Sequence, residues 1–231
     1  MKTKKSLLKI CLLMGLMVLL GSFASVPVSA ASKASYEITN KKTTKQYKKM
    51  RAAYLYQLPQ LKGSSAAVKK INKSLRADYK KSLQYKKSLL EYFENDKNTS
   101  FRQQYSEKYY SVTKCKVTYN ANGYISFRFS SKWYAGGVSN IWDYGLTYRL
   151  KDGKKMGIRD VIAGSGNQVK QKIAAAYASK ISERGYTPIM KMKYSEFNFY
   201  VKPGKKVVVC FGPYQPMGGN GKTSITLKGK I

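Results

Sequence analysis

Two alternating stretches on either side of an Asn/Gly turn constrain the fold more than any other feature of the sequence. Apolar residues occupy every second position in 115–119 and again in 125–129, and the segment Asn120–Gly123 lies between them. A period of two places alternate side chains on one face of a strand, and Asn-Gly favours a tight turn. The sequence therefore predicts an antiparallel β-hairpin whose apolar face has to pack against another layer.

The segment from Ala66 to Phe93 has a different period. Its apolar residues recur at steps of three and four, which predicts a long amphipathic helix, and Ser65 is placed to cap the N-terminus of this helix. The opposite face of the predicted helix is rich in cations. We expect the electrostatic contacts of the protein to involve five of these cations, namely Lys69, Lys73, Arg76, Lys80 and Lys87.

The remaining patterns complete an α+β fold with one mostly antiparallel sheet packed with two main helices. Further strands are predicted at 51–58, 142–150, 196–201, 206–211 and 223–227, and a second helix at 169–181. Pro59 is expected to end the first of these strands. We expect residues 31–50 to form a basic lead-in with one short strand near Tyr36–Ile38. Residues 51–231 then form the folded domain, and a break at Asn95–Asn98 allows two subdomains that divide near residue 98.

The first thirty residues have the organisation of a secretory signal peptide. Lysines open the segment, an apolar run covers Ile10–Leu20, and the small residues Val28, Ser29 and Ala30 close it. We expect cleavage near Ala30 and a protein that is secreted or associated with the cell wall. The Lys- and Tyr-rich composition suggests a Gram-positive bacterium.

Net charge is the most unusual property of the composition. The chain has 44 Lys and Arg, 11 Asp and Glu and no His, and loss of the four lysines in residues 1–30 leaves 40 cations against 11 acids, a net charge of +29. Without histidine there is no Ser-His-Asp or Cys-His catalysis and no His-ligated metal. No cofactor is expected. A chain this basic is expected to bind polyanions.

Of the acids outside the predicted helices, three could in principle act in pairs on a glycosidic bond, namely Asp143, Asp160 and Glu196. Each is more simply explained as a partner for one of the many cations. A wall-modifying enzyme is therefore a third hypothesis, behind two binding functions.

Cys115 and Cys210 remain after signal cleavage, and each lies in a predicted strand. In an exported protein they could form one disulfide. Alternatively, they are two separate buried thiols that pack as small apolar side chains. The sequence leaves both alternatives open.

Aromatic residues offer a second kind of contact. All twenty tyrosines follow residue 30, and tyrosine combines a flat apolar face with a hydroxyl group. The candidates for a groove that binds a sugar or a peptide are Trp133, Tyr134, Trp142 and Tyr214. The alternative for these four residues is packing in the core.

Several motifs in order resemble the exported RsiV-like domain family, a domain of unknown function shared by the C-terminal region of the anti-sigma factor RsiV and the N-terminal part of the peptidoglycan deacetylase PdaC. These are YQLPQLKG (56–63), YISFRF (124–129), YAGG (134–137), YRLKDGKKMGIRDVI (148–162) and VVVCFGPYQPMGGNG (207–221). The resemblance covers about residues 50–231. It implies an α+β domain outside the membrane, tied to the cell envelope and without known catalytic residues. The family often has Ala-His after the glycine pair, where this chain has Val138-Ser139.

These observations favour a secreted, non-enzymatic protein that binds anionic wall polymers, teichoic acid or peptidoglycan, or an anionic membrane surface. The alternative is a module that binds one protein, such as an inhibitor or sensor of a lysozyme-like wall hydrolase. Two strongly cationic surfaces repel, which argues against a basic lysozyme as that partner. An exported protein meets wall polymers before intracellular nucleic acid, so nucleic acid is not the expected partner.

Overall fold

The predicted hairpin lies within a five-stranded sheet in a computed structural model of the protein, which describes residues 33–99, 107–137, 139–219 and 221–231. The predicted signal peptide and Val138 lie outside the described residues. Asn122 and Gly123 have positive φ angles of 51° and 77°, as a two-residue hairpin turn requires. The strands are adjacent in chain order: β1 (Tyr36–Tyr47), β2 (Met50–Leu61), β3 (Lys108–Ala121), β4 (Tyr124–Tyr134) and β5 (Asn140–Arg149).

The long predicted helix is present as α1 (Ala66–Asp96), and Ser65 caps it by accepting a hydrogen bond from the Val68 amide at 3.2 Å. Strands β2 and β3 pair in parallel, whereas every other pair in the sheet is antiparallel. Parallel neighbours need a crossover connection, and α1 provides it. Its apolar stripe packs on one face of the sheet through Ile71, Leu75, Leu89 and Phe93.

The C-terminal half forms a second layer of helices that packs on a second sheet. A short helix, α2 (Ile158–Val161), is followed by α3 (Gly166–Lys180) and α4 (Tyr186–Lys191). A three-stranded antiparallel sheet completes it: β6 (Asn198–Lys202), β7 (Lys206–Phe211) and β8 (Thr223–Lys228). Ile173 and Tyr177 of α3 are fully buried in one cluster with strand residues such as Val209 and Phe211. The α+β class is confirmed, but the strands form two sheets where the sequence suggested one.

The two sheets meet where β5 lies against β6. A Cβ atom at Gly145 would stand 1.9 Å from the Phe199 carbonyl oxygen, so only glycine permits this approach. The hydroxyl of Ser126, buried in β4, accepts a 2.9 Å hydrogen bond from the Val201 amide of β6.

Residues 31–231 form one compact unit. A division near residue 98 does not occur, because β2 and β3 pair directly across it.

The segment that we expected to be a lead-in is largely a strand. All twelve residues of β1 pair with β2, from Tyr36 opposite Leu61 to Tyr47 opposite Met50. Pro59 does not end β2 either. It lies beyond the stretch 51–56 that pairs with β3, so no third strand needs its missing amide hydrogen.

Cys115 and Cys210 are free cysteines in the structure, which corresponds to the second of the two alternatives. Cys115 lies in β3 of the five-stranded sheet, whereas Cys210 lies in β7 of the three-stranded sheet. Burial raises the pKa of each thiol to about 12.

Within the part of the chain that the structure describes, no helix combines the length and apolar character that crossing a bilayer requires.

Candidate functional site

An open groove of about 560 Å³ lies between α1, the edge of the five-stranded sheet and the loop after β7. Its aromatic lining consists of Tyr85 and Tyr92 from α1, Trp133 from β4, Trp142 from β5 and Tyr214 from the loop. Three of these rings are largely exposed, at 49% for Tyr85, 49% for Tyr92 and 67% for Tyr214. Exposed aromatic rings on a concave surface are typical of a binding site.

The rings of the groove are arranged in two pairs. Tyr85 packs against Trp142 with ring centroids 5.7 Å apart, and Tyr92 meets Trp133 edge to face at 6.0 Å. The helix therefore supplies one ring of each pair and the sheet supplies the other. Both tryptophans of the chain belong to these pairs.

The rest of the groove lining is polar but almost uncharged. Ser88, Asn140, Asn198 and Gln215 supply hydroxyl and amide groups, and Asp143 is the one ionisable acid. No Lys or Arg occurs among the described residues that line it, although 40 of the residues after position 30 are cations. The described lining of the groove is thus poor in charged side chains, on a strongly basic protein.

Asp143 is held firmly at the edge of this groove. It accepts hydrogen bonds from Ser130 at 2.6 Å and from the Arg128 guanidinium at 2.8 Å, and Lys222 lies 3.3 Å away. Burial alone would raise the pKa of Asp143, but these hydrogen bonds outweigh it and hold the pKa below its ordinary value. Asp143 is therefore ionised, and its partners come from β4 and from the segment before β8.

A smaller hollow of about 200 Å³ adjoins the groove, because Tyr85 and Trp142 line both. Small hydroxyl residues from two strands form its floor, namely Ser111, Thr113 and Ser131, and the Thr113 and Ser131 hydroxyls lie 3.0 Å apart. Small side chains on the face that α1 covers leave the space between the layers unfilled. The hollow is the result.

Asp78 of α1 supplies the carboxylate of the hollow. Its Oδ2 accepts a 2.6 Å hydrogen bond from the Tyr56 hydroxyl and a 2.7 Å bond from the Tyr144 hydroxyl. Burial is the main cause that raises the pKa of both tyrosines far above the ordinary value. Both hydroxyls therefore stay neutral donors. Lys81, one turn along α1, lines the same hollow.

The cation stripe, defined here as Lys69, Lys73, Arg76, Lys80 and Lys87, lies on a different face of α1. All five side chains are exposed. Lys80 and Lys87 each stand five residues before a groove tyrosine, Tyr85 or Tyr92, which is about 140° around the helix axis. The stripe and the groove are therefore separate surfaces of one helix.

The positive charges of the stripe have few acidic partners within the protein. Of its five cations, Lys87 is the one with a salt bridge among the described residues, to Glu91 at 3.7 Å with both side chains exposed. Most of the eleven acids already have a partner outside the stripe. These acids are Asp78, Glu94, Asp96, Glu107, Asp143, Asp152, Asp160 and Glu196.

The structure brings three of the four predicted groove residues together. Trp133, Trp142 and Tyr214 line one groove. Tyr134 instead donates a 2.8 Å hydrogen bond from its hydroxyl to Glu107, and its ring packs against Tyr110 with the centroids 5.7 Å apart. Sequence reasoning missed Tyr85 and Tyr92. Their spacing of seven residues, off the buried stripe of the helix, is the signal that could have revealed them.

The three acids considered for catalysis serve local structure. Asp143 has the ion partners described above. Asp160 accepts the Gly157 amide at 2.8 Å and pairs with Lys154, and Glu196 accepts the Lys193 amide. Asp143 and Asp160 line different clefts.

Comparison with known proteins supports the resemblance drawn from the sequence. Residues 45–139 match the family model PdaC, described as deacetylase PdaC. A DUF3298 family member from Bacteroides fragilis has a similar fold, with a TM-score of 0.61 and 11% identity over 85% of this chain and 91% of that chain. A DUF3298 family protein from Pseudomonas aeruginosa aligns with a TM-score of 0.44 and 11% identity over 84% of this chain and 90% of that one. No curated protein matches the chain.

Proposed function

We propose that the chain carries a PdaC/RsiV-like domain of unknown function, whose family model matches residues 45–139, and that it is a secreted, non-enzymatic protein that binds anionic polymers of the cell wall. The observation that carries this proposal is the cation stripe of α1. Five exposed cations recur at steps of three, four and seven residues along about 27 Å of helix (1.5 Å rise per residue). A linear polyanion with regularly spaced charges can contact such a row along its whole length.

The acidic residues of the protein do little to neutralise the cation stripe. Most carboxylates already form hydrogen bonds or ion pairs elsewhere in the fold, so few are left to pair with the five cations. The excess of positive charge therefore extends into solvent, where it attracts polyanions over about one Debye length of 8 Å at physiological ionic strength. Binding of this kind is expected to weaken as salt is added, because association releases counterions.

The proposed compartment, the cell wall, rests on the predicted signal peptide. A protein exported across the membrane of a Gram-positive cell would meet teichoic acids, whose phosphates give one negative charge per repeat, and the carboxylates of peptidoglycan. The family model that matches is described as deacetylase PdaC. The proposal assigns no such activity to this chain.

Sedimentation with purified walls tests the proposal. The protein Ala31–Ile231 would be mixed with Gram-positive walls, either intact or stripped of teichoic acid, across a series of salt concentrations. We expect binding at low salt that falls steeply by several hundred millimolar salt and is weaker on stripped walls. Absence of binding at low salt would refute the proposal. Peptidoglycan of unchanged composition after the incubation is the expected result for a non-enzymatic protein.

A further inference from the structure

From the groove and the adjoining hollow we infer a second binding site, for an uncharged oligosaccharide whose pyranose rings carry acetamido groups. The rings would stack in the groove and one acetamido group would enter the hollow. This inference deepens the proposed function, and rests on it only in taking the natural source of such a chain to be the glycan of the wall. It concerns surfaces that the cation stripe does not include.

Charge identifies the class of ligand. The described lining of the groove has no Lys or Arg, and the charge of its one acid, Asp143, is already paired with Arg128 and Lys222, so the lining offers an anionic chain no cation to bind. Aromatic faces bordered by Ser, Asn and Gln side chains fit a ligand that is flat, partly apolar and rich in hydroxyl groups. Pyranose rings have these properties, because their axial C–H groups form an apolar face and their hydroxyls lie at the rim.

The size and spacing of the groove agree with a chain of sugars. Its volume of about 560 Å³ is within the usual range of small-ligand clefts, about 300 to 1,000 Å³. Two aromatic pairs, Tyr85 with Trp142 and Tyr92 with Trp133, line it at positions seven residues apart on α1. Seven residues of helix rise about 10.5 Å, so the pairs are far enough apart to contact two different rings of one chain.

The groups that line the hollow match the contacts that an acetamido group requires. This group needs a hydrogen-bond acceptor for its N–H, a donor for its carbonyl and an apolar contact for its methyl group. Among the described residues, both hydrogen bonds to Asp78 end on Oδ2, so Oδ1 remains as the acceptor. Lys81 supplies a donor, and the Trp142 and Tyr144 rings supply the apolar surface.

Tryptophan fluorescence tests this inference directly, because both tryptophans of the chain line the groove. The protein Ala31–Ile231, which is one compact unit, would be titrated with the β-1,4-linked tetramer of N-acetylglucosamine and with cellotetraose. We expect a saturable fluorescence change with the acetamido tetramer. The Kd of cellotetraose should be at least about tenfold higher, because the polar groups of the hollow then lack partners.

Three variants locate the site. Tyr214→Ala removes a ring that is 67% exposed and should weaken binding of the acetamido tetramer at least about fivefold without unfolding the protein. Lys81→Ala should reduce the preference for the acetamido tetramer over cellotetraose. Tyr186→Ala is the matched control, because Tyr186 is 39% exposed and does not line the groove.

The outcomes separate this inference from the proposed function. Binding of a neutral tetramer should not change between low salt and 0.5 M salt, whereas wall binding through the stripe should be lost. No fluorescence change with millimolar acetamido tetramer, or equal affinity for the two tetramers, would overturn the groove inference and leave the stripe proposal standing. Tetramer binding without salt-sensitive wall binding would support the groove and refute the stripe.

Discussion

The Tyr144 hydroxyl donates a 2.7 Å hydrogen bond to Oδ2 of Asp78 and thereby ties the edge strand β5 to helix α1. Tyr56 of β2 donates to the same oxygen at 2.6 Å. One carboxylate therefore joins the helix to two strands that are not neighbours in the sheet. Because Asp78 also lines the hollow, the stability of the fold and the shape of the candidate site depend on the same group.

Replacement of this carboxylate should destabilise the protein markedly. Asp78→Ala leaves the buried hydroxyls of Tyr56 and Tyr144 without an acceptor, at about 1–3 kcal/mol for each group. We expect a loss of about 3 kcal/mol in the free energy of unfolding, measured by urea denaturation. Glu91→Ala is the control on the exposed side of α1 and should change it by less than about 0.5 kcal/mol. Equal effects of the two variants would contradict this role for Asp78.

The close packing of the two sheets against each other should depend on Gly145. A Cβ atom there would overlap the Phe199 backbone, with its carbonyl oxygen at 1.9 Å and its carbonyl carbon at 2.5 Å. Backbone cannot move aside as a flexible side chain can, so Gly145→Ala should lower the free energy of unfolding by about 3 kcal/mol. Gly137→Ala is the matched control, because nothing lies within 4 Å of its added Cβ. A wild-type melting temperature for the Gly145 variant would show that the sheets do not approach in this way.

The N-terminal cap of α1 gives a smaller, well-defined effect. Ser65→Ala removes the hydrogen bond from the Val68 amide to the Ser65 hydroxyl and should cost about 1 kcal/mol. Ser64→Ala, one residue outside the cap, should be close to neutral. Chemical denaturation of both variants under the same conditions distinguishes capping from a general effect of losing a serine.

Both cysteines should be unreactive in the native protein. Burial raises their pKa values to about 12, so at pH 8 almost no thiolate is present to react. Labelling of Ala31–Ile231 with a thiol reagent should be about a hundredfold slower than for a free cysteine. In denaturant without a reductant, two thiols should react. Failure of both to react when unfolded would instead indicate a disulfide.

The elements that the sequence predicted well are those with a strong local signal. Helix α1 has both a cap at Ser65 and a clear period, and the β3–β4 hairpin has an Asn-Gly turn, so tertiary contacts only extended their ends. Strand β1 lacked such a signal. Its side chains are exposed or half-buried along its whole length, and its turn uses Lys48 with a φ of 49°, a conformation that glycine or asparagine usually signals.

The missed features of the site have a related cause. The division into two sheets depends on which distant strands pair. Alternation of apolar residues with a period of two predicts a strand, but it does not indicate which other strand pairs with it. Trp133, Trp142 and Tyr214, which the structure places along one groove, could be chosen as candidates from the sequence because tryptophan is rare in the chain and Tyr214 lies in a loop rich in glycine and proline. Tyr85 and Tyr92 belong to a helix whose cations dominate its sequence, and their place in the groove depends on the orientation of α1 over the sheet.

We expect the position of the cation stripe, and not only the net charge of the protein, to determine binding to the wall. Two variants with the same net charge test it, each with five cations changed to glutamine. One carries the changes at Lys69, Lys73, Arg76, Lys80 and Lys87. The other carries them at exposed lysines outside α1, namely Lys41, Lys42, Lys151, Lys180 and Lys191.

Affinity for teichoic-acid-bearing walls at 100 mM salt would be measured for both variants and for the unchanged protein. We expect the stripe variant to bind at least about tenfold more weakly and with a shallower dependence on salt, because fewer counterions are released. The control variant should lose no more than about threefold. Equal losses in the two variants would contradict the account, since they would show that total charge, and not this face of α1, determines binding.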